Sequence, residues 1–187
     1  MCPAFWLAIE SGLMIDSIMA MGRIFDDAAG SHSVNRLFAI AAGNLGLFSK
    51  EALAIRKQGN EPEPPYWLDE YLEDVFEPSS MDEFKPLRKQ VRDFRTIYVD
   101  KYKDIRDRCL AHHLFVDENE RWRLFQRTNT DEMAEFFGCF IRVCDALSGL
   151  LQNGTHPGQF QEWTEWQREE ITEATSKTLL MLLPSHK

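Results

Sequence analysis

One helical stripe limits what this chain can become. Leu87, Val91, Phe94, Tyr98, Tyr102, Ile105, Cys109 and His112 recur at alternating steps of three and four. That spacing puts them on one face of a helix of roughly 25 residues, about 38 Å long at 1.5 Å per residue. A rod with one apolar face must bury that face against other elements. The chain is therefore predicted to be an all-α bundle with this helix as its central beam.

The remaining segments supply partners for such a beam. Phe5, Ile9, Leu13, Ile18, Met21 and Phe25 predict a helix over 5–27. Ser33 is suited to cap a second helical region over 34–58, broken at Gly43 and Asn44, recapped by Ser49 and stopped at Gly59. Residues 61–66 read as a proline-rich loop, with a short helix over 66–76. Ser80 with Glu83 forms a capping-box pattern, and Pro86 is placed to kink the first turns of the long helix.

After His113 the helical period is lost. Residues 114–116 and 122–125 leave a short β-hairpin or an ordered loop open. Thr130 reads as the N-cap of a helix carrying Met133, Phe136, Phe140, Cys144, Leu147 and Leu151, closed at Asn153 and Gly154. A last helix is predicted over 159–183, with Trp163, Trp166 and the apolar run 179–183. The expected organisation is one bundle over 1–158, with 159–187 packing on it or on a partner.

Charge and composition narrow the class. No run was expected to reach the roughly 18 apolar residues of a membrane span. The N-terminal stretch carries Glu10 and Asp16 and no early cation, unlike a signal peptide. Cys2, Cys109, Cys139 and Cys144 form no C-x-x-C pair and read as small buried apolar residues of a reducing compartment, so the expected setting is cytoplasmic. No metal or other cofactor is expected. The net charge of −9 argues against a general nucleic-acid coat protein, yet residues 85–108 hold nine Lys or Arg against four Asp. The positive charge is gathered on the long helix.

That helix ends in Arg106, Asp107, Arg108, Cys109, Leu110, Ala111, His112 and His113. RNA cleavage by 2′-hydroxyl attack needs a base, an acid and a cation on the developing phosphorane. Imidazoles titrate in the right range, and a guanidinium fork holds phosphate oxygens. From spacing alone, His112 could equally cap and pack the helix end, and Arg106 could simply bridge to Asp104 or Asp107. The remaining basic residues could be a solvated face.

The segment resembles the signature of the HEPN superfamily: Arg, a polar residue, a spacer, then His. Here Arg106 is followed by Asp107, with five residues before His112. The phrases IRDRCLAH and GRIFDD, Leu124-Phe125 followed by 128–133, and the helix end at Asn153-Gly154 resemble the AbiU-type abortive-infection branch. The resemblance covers most of residues 10–158. It implies an all-α homodimer with two motif helices side by side, and ribonuclease activity in toxin or phage-defence settings. Arg106 would then bind phosphate, His112 act as acid or base, and Asp107 orient one of them. Arg108 and His113 are substitutes, and Arg95, Lys101 and Lys103 are candidate RNA contacts. An antitoxin or another protein partner is compatible with this setting, a membrane is not expected, and the alternative is a non-catalytic RNA- or protein-binding module. Some relatives carry a Tyr two residues after the His that a partner enzyme modifies; Leu114 and Phe115 stand there instead.

Helix geometry adds a condition. On an ideal α-helix, Arg106 and His112 point about 120° apart, whereas Arg108 and His112 share a face, as do Arg106 and His113. Either the helix loosens near Ala111 or a second subunit completes the site.

Overall fold

The computed structural model describes residues 3–28, 30–111, 117–158 and 173. It is all-α, with no strand among the described residues. The helices are α1 (Pro3–Ile24), α2 (Val34–Gly43), α3 (Lys50–Gln58), α4 (Leu68–Glu73), α5 (Lys85–Ile97), α6 (Glu118–Phe125) and α7 (Thr130–Asn153). Single 3-10 turns at Leu45–Phe48 and Met81–Phe84 precede α3 and α5.

Local chemistry explains most boundaries. Ser33 and Ser49 cap α2 and α3 through their hydroxyls, which accept from the Arg36 and Ala52 amides. Gly59 closes α3 at φ +62°, and Gly154 closes α7 in the left-handed region, where a side chain would be strained. Ser80 accepts from the Asp82 amide, so it caps a 3-10 turn rather than α5 itself. Pro86 falls at the very start of α5, where its missing N–H was an orphan anyway.

Three expectations need correction. Residues 118–125 are the helix α6, not the second strand of a hairpin; Glu118 and Glu120 favour a helix start, and 114–116 lie outside the described residues. The N-cap of α7 is Asn129, whose carboxamide oxygen accepts from the amides of Asp131 (2.8 Å) and Glu132 (3.2 Å); Thr130 is the first helical residue. Finally, residues 4–24 form a helix whose best window has mean hydropathy 1.4, long and apolar enough to cross a membrane by length and composition. That window tolerates Glu10 and Asp16 because its other residues are uncharged. Phe5, Ile9 and Leu13 are exposed, while Ile18, Met21 and Phe25 enter the core, so only the C-terminal half of α1 is docked. The helix predicted over 159–183 lies outside the described residues, apart from helical Glu173.

The long beam exists but is not uniformly α-helical. Beyond α5 it continues through two π-wound segments, Tyr98–Tyr102 and Ile105–Ala111. The stripe still faces inward: Leu87, Val91, Tyr98, Tyr102 and Ile105 are buried. An aromatic joint fixes the beam against its neighbours. The Phe25 ring lies 5.3 Å from both Tyr98 and Phe136, tying α1, the first π segment and α7 together.

Candidate functional site

The site is built where the second π segment crosses the end of α1. π winding passes one more residue per hydrogen-bonded turn than α winding and is frequent at functional sites. Here it covers the whole described part of the motif, Arg106 to Ala111. The loosening expected near Ala111 therefore begins earlier, at Tyr98. His112 and His113 lie outside the described residues.

Arg106 is the best-fixed member. Its side chain is about a quarter exposed, and Nη1 donates to Asp107 Oδ1 at 3.1 Å. Its Nε is buried with no hydrogen-bond partner among the described residues, as is the Tyr98 hydroxyl. The two belong to one neighbourhood. Burial pushes the Tyr98 hydroxyl pKa up; the Arg106 charge, a close approach of its guanidinium to the hydroxyl and the Lys103 charge oppose that rise, and Asp107 reinforces it. The aliphatic part of Arg106 lies directly on Gly22 of α1, where a methyl group would collide with Cδ and Nε.

Asp107 uses both oxygens, one for Arg106 and the other for Lys103 Nζ at 3.1 Å. Its hydrogen bond and charge hold Lys103 above the usual lysine range. Arg108 reaches α6 instead, meeting Glu120 at 2.8 Å. Arg106 and Arg108 thus diverge, and Arg106, Asp107 and Lys103 are the predicted residues that come together.

The other expected RNA contacts are also answered by acids. Arg95 pairs with Asp27 at 2.6 Å. Hydrogen bonds from Asn35 and Arg95 lower the Asp27 pKa against a small opposing effect of burial. Lys101 donates to Glu132, which also accepts from the Tyr102 hydroxyl at 2.7 Å. Burial raises the Glu132 pKa, but those two hydrogen bonds and the Lys101 charge together outweigh it and leave the group lowered. Burial and the bond to Glu132 push Tyr102 up to about 12.

Sequence reasoning missed Gly22 and Tyr98. Gly22 is the first residue of the GRIFDD phrase, and Tyr98 sits in the stripe, where it looks like core. Gly22→Ala is expected to push the Arg106 guanidinium away, and any reaction that depends on its position should slow roughly 10- to 100-fold, the scale of a misplacement of about 1 Å. The thermal midpoint should change little, because the gain of about 1 kcal/mol from the better helix former offsets the cost of moving the Arg106 stem aside. Turnover and melting measured on the same preparation check this.

No group of three or more His, Cys, Asp or Glu placed to hold a metal occurs among the described residues. A family model, HEPN_AbiU2, described as AbiU2, matches residues 1–167. No curated protein and no solved structure matches the chain.

Proposed function

Because this chain belongs to the AbiU2 family of HEPN modules, we propose that it is a metal-independent endoribonuclease acting in phage defence or as a toxin. Arg106 holds the scissile phosphate, His112 transfers the proton, and Asp107 orients the guanidinium. Arg108 and His113 are the reserve cation and imidazole, and Arg95, Lys101 and Lys103 offer phosphate contacts in competition with their carboxylates. The active unit is a cytoplasmic homodimer with two motif helices side by side, as the family resemblance implies; the π winding of 105–111 removes the ideal-helix argument for a second motif. RNA is the substrate, and an antitoxin is the expected protein partner.

The observation that carries this reading is the seating of Arg106. A guanidinium laid on a glycine, beside the buried Tyr98 hydroxyl and steadied by a neighbouring carboxylate, is oriented before any ligand arrives. Preorganised donors of this kind lose little on reorganisation when charge develops.

The test is incubation of the purified protein with RNA in EDTA. The expected products carry 2′,3′-cyclic phosphate and 5′-hydroxyl ends, because the nucleophile is the substrate's own hydroxyl. Products with 3′-hydroxyl and 5′-phosphate ends, or activity lost to EDTA, would sink the proposal.

A second reading has its own support. Arg106, Lys103, Arg108, Lys101 and Arg95 are each already paired with a carboxylate. Such a set suits a non-catalytic binding module whose motif serves the fold. A folded dimer that binds RNA and cleaves none would favour it.

A further inference from the structure

The chain's acids are not spread evenly over its cations. Around the motif every expected cation has a carboxylate, but on α5 Arg88, Lys89 and Arg92 form no ion pair among the described residues. All three are exposed. Lys85 and Lys89 are four apart, as are Arg88 and Arg92, so like charges face each other along the helix. That arrangement weakens a helix unless something neutralises it.

These cations border one open groove. Lys85, Arg88, Lys89, Arg92 and Arg95 line it with Asn35, over a floor of Phe38 and Val91, in a volume of about 600 Å³. Lys85 also meets exposed Asp82, and Arg95 meets Asp27. Asp93, the one acidic residue of α5, does not line it. Five cations between Lys85 and Arg95 extend about 15 Å along the helix, more than a single phosphate can cover. Guanidinium forks suit the paired oxygens of successive phosphates.

A second groove shares Arg92 and Arg95 and runs on past Thr96 and Val99 to Asp100, Asp104 and Arg127. Arg106 does not line it. Its carboxylates repel phosphate, so the strand is gripped on α5 and not along this second groove.

We infer that the α5 groove is an exosite for the phosphate backbone of single-stranded RNA, about 25 Å from the motif along the helix axis. The inference rests on the RNA reading above and deepens it: the substrate is a strand long enough to reach from Arg88 to Arg106. A dinucleotide cannot touch both places.

The test follows binding rather than cleavage. Arg106→Ala/His112→Ala protein is titrated into a fluorescent single-stranded RNA of about 20 nucleotides at several salt concentrations. The same is done after adding Arg88→Ala, Lys89→Ala and Arg92→Ala. Three lost phosphate contacts should make the slope of log affinity against log salt shallower by about two, and weaken binding at least tenfold at low salt. Arg88→Lys with Arg92→Lys should keep the slope, which separates charge from folding damage. An unchanged slope in the alanine variant overturns the exosite. Wild-type cleavage with an unchanged slope removes the groove and leaves the nuclease. A changed slope with no RNA cleaved leaves the groove and removes the nuclease.

Discussion

Arg106→Ala is expected to lower RNA cleavage by about 10²–10³-fold, the usual loss when one preorganised donor to a developing oxyanion is removed. His112→Ala should cost at least as much, and the double variant little more than the worse single one, because the two act in one step. Arg106→Lys should not rescue. A lysine lacks the planar fork, and its compact charge cannot occupy both the Asp107 contact and a phosphate. Stability should barely change. Arg106 is partly exposed, and Asp107 keeps its bond to Lys103 when the guanidinium is gone. Cleavage rates, dimer mass and melting on the same variants decide the matter. Full activity in Arg106→Ala would end the catalytic assignment. A melting point lowered by many degrees would instead identify Arg106 as a strut between the motif helix and α1.

The bundle was legible because its helices announce themselves twice, once by period and once by caps. Ser33, Ser49, Gly59 and Gly154 sit where cap chemistry demands them. The beam was legible as a stripe but not in its winding. Steps of three and four describe an α-helix, and nothing in Tyr98 or Ile105 as residue types marks a change to π winding. The two π segments are the stretches of the beam that pack on α1, and such tertiary seating is not written in residue type. The hairpin alternative fails at 122–125 for a related reason: so short a window of Trp, Leu and Phe carries no decisive period, and the acidic start at Glu118 was the better signal. At the site, the motif named Arg106 and Asp107 but not the surface that orients them. A glycine 84 positions away acts through the space it leaves, and a sequence shows no spaces. The ion-pair partners Asp27, Glu120 and Glu132 were equally invisible, since each comes from another helix or its end.

Tyr102→Ala should destabilise the protein by about 3–5 kcal/mol, the range for removing a fully buried aromatic ring. Only 1% of Tyr102 is exposed, and it lies at the end of the first π segment. Its hydroxyl donates to Glu132 Oε1 at 2.7 Å and accepts from the Asn129 amide at 3.3 Å, joining the beam to the cap of α7. Tyr102→Phe separates the two contributions. It keeps the ring and removes the hydroxyl, which should cost about 1–3 kcal/mol because Glu132 and the Asn129 amide lose a partner inside the fold. Among the described residues, the Glu132 carboxylate then retains Lys101 alone. Denaturant unfolding of both variants, fitted with the wild-type slope, gives the two numbers. Equal losses in Phe and Ala would mean the ring contributes nothing and the beam is not packed as described. Losses below about 1 kcal/mol in both would detach the beam from α7 altogether. The consequence for the site is direct: Arg106 is one residue beyond Ile105, the next buried anchor after Tyr102. A beam freed at Tyr102 can rotate, and the guanidinium then leaves its seat on Gly22 although no residue of the motif has changed.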